Sequence, residues 1–68
     1  MRMIDEAGNV VYYNLVKKRG KLRWIIKAAS GQTLKGRDGQ RLKSRSFAQE
    51  HQARAFLARN GYGMDKNW

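Results

Sequence analysis

Residues 21–29 read KLRWIIKAA, and every second side chain of this stretch is apolar. One set of alternate positions carries Leu22, Trp24, Ile26 and Ala28. The other set carries Lys21, Arg23, Ile25 and Lys27. Successive side chains of a β-strand point to opposite faces of a sheet, so this period of two predicts a strand with one buried face and one basic face.

The stretch before it predicts the partner of this strand. Residues 10–18 read VVYYNLVKK, which is rich in β-branched and aromatic residues and fits no helical period well. Arg19 and Gly20 separate the two stretches, and glycine supplies the positive φ that a tight hairpin turn requires. The sequence therefore predicts an antiparallel hairpin over residues 10–29.

Residues 30–45 contain two further turn signals, Ser30-Gly31 and Asp38-Gly39. Residues 32–35 can begin a third strand, and residues 41–45, RLKSR, can form a short strand. One face of that short strand would carry Arg41, Lys43 and Arg45, and we expect these residues to extend the exposed basic face of the sheet. The pattern leaves two arrangements open for residues 32–45: one interrupted strand, or a separate small hairpin.

The last predicted element is a helix over residues 47–59, FAQEHQARAFLAR. Ser46 and Gln49 have the spacing of a capping box, and Asn60-Gly61 is a usual helix stop. At about 100° per residue, one half of the helix is mostly apolar and is expected to pack on the sheet. That half carries Phe47, Ala48, Ala55, Leu57 and Ala58. Phe56 points away from it, toward the tail residues Tyr62, Met64 and Trp68 or toward another chain.

Together these patterns predict an α+β fold of order βββα, a three-stranded antiparallel sheet with one C-terminal helix packed on one face. We expect a single domain over residues 10–62. Residues 1–9 are expected to be flexible or to add at most a short edge strand, and residues 63–68 form an aromatic C-terminal tail.

Composition excludes several classes of protein. A chain of 68 residues is enough for one small domain, and 41% hydrophobic residues support folding despite the high charge. No cysteine is present for disulfides, and no apolar run resembles a signal peptide or a membrane span. We therefore expect a cytoplasmic protein that does not enter a membrane.

The positive charge is concentrated in one part of the chain. The formal net charge is +10, and residues 17–45 hold eleven basic residues against one acid, Asp38. Outside that segment, four basic residues face four acids. The basic residues of the segment are Lys17, Lys18, Arg19, Lys21, Arg23, Lys27, Lys35, Arg37, Arg41, Lys43 and Arg45. A solubilising surface usually intersperses both signs, so this segregation favours a binding role.

Catalytic readings find little support in the residues. His51 is the only histidine, and neither a second histidine nor a cysteine could complete a metal site with it. Asp5 and Glu6 are adjacent in a segment expected to be mobile, and Gly36 and Gly39 lack the lysine and hydroxyl residue of a phosphate-binding loop. We expect no enzymatic activity, no cofactor and no metal.

Nucleic-acid binding fits the charge better. Lys and Arg neutralise phosphates and release counterions, and an antiparallel ribbon can enter the major groove of DNA. Tyr12 is a candidate aromatic contact to a base. We expect duplex DNA rather than RNA, and a phage or mobile-element accessory factor as the setting, although these residues leave RNA open.

The alternative is a small protein-interaction module or inhibitor that docks on a host protein. Phe56 and the aromatic tail motivate this reading, and they would also serve a homodimer.

Two resemblances accompany this reading. The order βββα with a basic exposed sheet is similar to the arm-type DNA-binding domains of phage tyrosine recombinases and to plant AP2 domains, which implies reading of the major groove by the sheet. Residues 20–32, GKLRWIIKAASGQ, followed by residues 47–53, FAQEHQA, resemble the YegP-like family of small bacterial domains. Ser30 stands where that family usually has Asn before Gly31. The second resemblance implies a fold and no defined activity.

Overall fold

The computed structural model describes residues 1–65, with the exception of the Arg37 side chain. The strands are β1 (Arg2–Ile4), β2 (Val10–Lys18), β3 (Lys21–Ala28), β4 (Leu34–Lys35), β5 (Arg41–Leu42), β6 (Ser44–Phe47) and β7 (Gly63–Met64), and the helix α1 (Glu50–Arg59) precedes β7. Five strands form an antiparallel sheet in the order β6-β3-β2-β1-β7, whereas β4 and β5 form a separate ribbon. The predicted α+β class with an antiparallel sheet and one helix is confirmed, but the sheet has five strands where three were predicted.

The central hairpin follows the alternation of its sequence. β2 and β3 pair from Val11 opposite Ala28 to Lys18 opposite Lys21. Arg19 and Gly20 close the hairpin with φ values of 52° and 78°. Two successive residues with positive φ are typical of a type I′ turn, whose twist matches that of the strands.

The core lies between this hairpin and α1. Ile26 and Val11 of the sheet are 0% and 1% exposed, and they pack in one cluster with Ala53, Phe56 and Leu57 of the helix. The strand side chains in this cluster belong to one alternate set, as the period of two predicts. The other face of the sheet is therefore free of the helix.

The structure decides between the two arrangements that the sequence leaves open for residues 32–45. β4 and β5 form a separate small ribbon, with Leu34 opposite Leu42 and the Leu34 side chain buried in the core. The backbone of Gly36 lies close to the Leu42 side chain. A Cβ at this position would lie 2.7 Å from Leu42 Cδ1, so a larger residue would require Leu42 to move. The predicted strand over residues 41–45 is wrong as one element, since it divides into β5 and the start of β6.

The helix begins later than the sequence predicts. Ser46 and Phe47 belong to β6 and pair with Ile25 and Trp24, so Ser46 caps no helix. Gln49 is the N-cap residue and makes no side-chain cap hydrogen bond. Pairing with β3 overrides the local capping signal, because it places the Phe47 side chain against the core.

The helix also presents a different face to the sheet. Phe56 is only 5% exposed, whereas Ala55 and Ala58 are exposed. Ala53, Phe56 and Leu57 follow the i, i+3, i+4 spacing of a buried helical stripe. The predicted outward direction of Phe56 is wrong, because the predicted stripe included Phe47 and Ala48, which precede the helix.

The first residues of the chain and residues 63–64 extend the sheet beyond the hairpin. Residues 1–9, expected to be flexible or to form an edge strand, contain β1, which lies between β2 and β7. In the expected tail, β7 pairs with β1, and Arg2 Nε lies 3.1 Å from Asp65 Oδ2, an ion pair without hydrogen-bond alignment. Residues 66–68, including the Trp68 of the expected tail, lie outside the described residues.

Candidate nucleic-acid interface

The sheet face opposite α1 is the candidate interface, and it is called the open face below. Strand register assigns its side chains, because residues paired across antiparallel strands lie on the same face. The open face carries Tyr12, Asn14, Val16 and Lys18 of β2, Lys21, Arg23, Ile25 and Lys27 of β3, and Ser44 and Ser46 of β6. The predicted basic side of residues 21–27 therefore faces away from the helix.

The charge is densest where the hairpin turns. Lys18, Arg19, Lys21 and Arg23 surround a shallow depression of about 800 Å³ that Ile25 and two serines of β6 complete. Lys18 lies directly opposite Lys21 across the two strands. Like charges in directly opposed positions destabilise a sheet, so this arrangement costs folding free energy.

No acid within residues 1–65 neutralises these cations. The ion pairs in this part of the chain are Arg54 with Glu50 and Arg2 with Asp65. The Asp5 carboxylate instead accepts hydrogen bonds from Asn9, which lower its pKa. An uncompensated cluster of cations on a flat surface is a favourable site for a polyanion.

The other end of the open face has a second hollow. Tyr12, Lys27 and Lys43 line it together with the loop that follows β3, and its volume is about 720 Å³. Tyr12 is directly opposite Lys27 and is exposed. The structure thus brings the predicted aromatic contact beside two of the predicted basic residues.

The remaining predicted site residues lie elsewhere. Lys17 is opposite Leu22, on the helix side of the sheet, and Lys35 and Arg41 belong to the β4–β5 ribbon. Arg45 is opposite the buried Ile26, so the prediction that it extends the exposed basic face is wrong. Its guanidinium lies over the rings of Phe47 and Phe56 instead, at 4.8 and 5.0 Å. The side chain of Arg37 is outside the described part of the structure.

The hairpin tip also exposes two apolar side chains, of which Leu22 was predicted to lie on the buried face. Leu15 is 55% exposed and Leu22 is 50% exposed, and both lie on the helix side. Nine residues of β2 extend about 30 Å, whereas ten residues of α1 extend about 15 Å, so the helix covers only half of the hairpin. The part of the hairpin that extends beyond α1 is called the arm below. A comparison of the strand length with the helix length would have predicted this arm from the sequence.

The groups with shifted pKa values lie outside the open face. Burial, followed by the charge of Glu50, raises the pKa of Tyr13, and burial, followed by the charge of Asp5, raises the pKa of Tyr62. His51 is exposed on α1. Within residues 1–65, no three His, Asp or Glu side chains gather closely enough to hold a metal ion. In the same residues, no helix is long and apolar enough to cross a membrane.

No protein-family model, curated protein or solved structure matches this chain. The fold and its charged surface define a small α+β domain that exposes one basic sheet face.

Proposed function

We propose that this protein binds nucleic acid, duplex DNA in preference to RNA, through the open face and the tip of its β2–β3 hairpin. The observation that carries the proposal is a group of cations on the sheet face opposite α1 that have no partner acid within residues 1–65: Lys18, Lys21, Arg23 and Lys27. Phosphates would relieve the repulsion that Lys18 and Lys21 impose on each other.

The shape of the hairpin fits a duplex groove. A two-stranded ribbon can enter the major groove, which is about 12 Å wide. The arm extends beyond α1, so the helix does not block its approach. In that position Arg23 can reach a base edge, while the lysines on either side neutralise phosphate.

The test is the salt dependence of binding to a fluorescent duplex. If about five phosphates are contacted, the slope of log K against log salt is expected to be about −4 to −5. Arg23→Gln and Lys27→Gln should each reduce the magnitude of that slope by about one. Arg54→Gln, which removes the same charge from the exposed side of α1, should leave the slope unchanged. A slope near zero would reject the proposal, and equal effects of all three variants would reject the open face.

A second candidate function has its own observation, the exposed pair Leu15 and Leu22 beside the half-buried Trp24. Apolar side chains grouped on a surface often mark a protein contact. A second copy of the chain would bring two charges of +10 together, so the partner would be a different protein with acidic residues around an apolar centre.

The double variant Leu15→Ser/Leu22→Ser separates the two functions. It should abolish binding of such a partner and leave the slope for duplex DNA unchanged if the apolar pair serves a protein. The opposite result would assign the pair to the nucleic-acid interface.

A further inference from the structure

A second basic surface lies on the helix side of the sheet, away from the open face. It is a groove of about 660 Å³ between α1, β6 and the β4–β5 ribbon, and it is called the Arg45 groove below. Lys35, Arg45 and Arg59 each come from a different one of these elements, and the imidazole of His51 also lines the groove. Among the described residues, none that lines the groove carries a carboxylate.

Arg45 is the best positioned of these cations. Its guanidinium carbon lies 4.8 Å from the centre of the Phe47 ring and 5.0 Å from the centre of the Phe56 ring. The two rings are themselves in contact, with centroids 5.7 Å apart. Stacking on aromatic faces holds a guanidinium in place and leaves the N–H groups at its edge available to an acceptor.

These rings attract the charge of Arg45 without neutralising it. Within residues 1–65, neither Arg45, Arg59 nor Lys35 forms an ion pair with a carboxylate. The fold therefore brings three like charges from three elements to one groove, and the described part of the chain places no carboxylate there. Such a convergence is unfavourable in the free protein and becomes favourable when an anion is bound.

We propose that the Arg45 groove binds a terminal phosphate group, from a nucleotide or from the end of a nucleic-acid strand. A phosphate monoester carries about −1.5 to −2 charges and three acceptor oxygens, so it matches several converging cations better than a carboxylate does. A planar guanidinium edge fits two phosphate oxygens at once. The groove has the size of a small-ligand pocket. This site goes beyond the proposed function, because it lies on the opposite face from the open face.

The experiment is an NMR titration of the arginine Nε–Hε signals with inorganic phosphate, then with adenosine monophosphate, at constant ionic strength. The Arg45 and Arg59 signals are expected to shift and saturate with one common dissociation constant. Arg45→Gln should weaken binding about tenfold, and Arg45→Lys should weaken it less, because lysine keeps the charge and loses the planar edge. Arg54→Gln, on the helix that also carries Arg59, is the charge-matched control and should leave the dissociation constant unchanged.

Two short single strands, identical except for a 5′-phosphate or a 5′-hydroxyl, distinguish the sources of the phosphate. They are compared in the Arg23→Gln/Lys27→Gln background, which weakens the proposed contact with the open face. Tighter binding of the phosphorylated strand would identify a strand end as the ligand. Equal binding of both strands, together with saturable binding of adenosine monophosphate, would identify a free nucleotide.

Arg45→Gln removes a cation packed on two core rings, so circular dichroism must first show that the variant is folded. If it is not, Arg59→Gln replaces it, since Arg59 is exposed, and should weaken binding several-fold. Shifts that do not saturate, or that move equally at Arg23, would overturn the proposal. An effect of Arg54→Gln as large as that of the groove variants would also overturn it. None of these outcomes depends on whether the open face binds DNA.

Discussion

Ile26 lies at the centre of the core and is 0% exposed. Replacing it with alanine removes buried methyl groups and leaves a cavity, so Ile26→Ala should lower the free energy of unfolding by about 2–5 kcal/mol. Leu22→Ala is the matched control, because Leu22 is on the same strand and face but is 50% exposed. Urea unfolding should show a loss of less than about 1 kcal/mol for the control. Equal losses would mean that the arm is covered in solution.

Two tyrosines make the free energy of unfolding depend on pH in the alkaline range. Burial raises the pKa of Tyr62 and of Tyr13 above the ordinary value of 10.0, so the folded protein holds these protons more tightly than the unfolded chain. Their contribution to stability is fully present below pH 10 and is lost as pH rises through the folded pKa.

Urea midpoints measured from pH 8 upward should therefore fall more steeply in the wild type than in Tyr62→Phe. The comparison isolates Tyr62, because the lysines titrate in both proteins over the same range. Parallel curves for the two proteins would contradict the assignment.

The element with the clearest local test is the β2–β3 turn. Arg19 has a φ of 52°, a conformation that costs arginine more than asparagine. Arg19→Asn should therefore raise the free energy of unfolding by about 0.5–1 kcal/mol, while Gly20→Ala should lower it by about 1 kcal/mol. Chemical denaturation measures both changes. A stabilising Gly20→Ala would rule out the type I′ turn.

Because Arg19 also lies on the candidate interface, Arg19→Asn should weaken DNA binding while it stabilises the fold.

The same hairpin shows how far the elements could be predicted. β2 and β3 follow from their sequences, because alternation over eight or nine residues and a turn residue with positive φ point to the same structure. β4 and β5 have only two residues each, too few for a period, and their pairing depends on burial of Leu34. The local sequence around Ser46 predicts a helix N-cap, but in the structure Ser46 belongs to β6. Its pairing with Ile25 of β3, which is distant in the sequence, determines this outcome.

The candidate site was predictable in its charge and less so in its geometry. Period-two alternation correctly placed Arg23 and Lys27 on the face away from the helix, because those positions belong to a long strand. Arg45 could not be placed in this way, since its face depends on a bend near Lys43 that shifts the alternation of residues 41–45. The Arg45 groove therefore became visible only with the arrangement of three elements.

At the scale of the whole molecule, a net charge of +10 on 68 residues opposes folding and favours a polyanion. Salt shortens the range of repulsion between cations such as Lys18 and Lys21, from a Debye length of about 30 Å at about 0.01 M to about 8 Å at about 0.15 M. Raising NaCl over this range should therefore raise the melting temperature by several degrees. A neutral solute of equal osmolality is the control and should have little effect.

Lys18→Glu tests whether the hairpin tip is the source of this repulsion. The variant places opposite charges at the Lys18 and Lys21 positions, so it should melt at a higher temperature in low salt and gain less from added salt than the wild type does. Duplex DNA should stabilise the wild type strongly in low salt, because the cations that repel one another in the free protein neutralise phosphates in the complex. This stabilisation should disappear as the NaCl concentration rises, because salt weakens the binding of cations to phosphates. If Lys18→Glu keeps the full salt response and the full stabilisation by DNA, the charge responsible lies elsewhere, and the Arg45 groove is the next surface to alter.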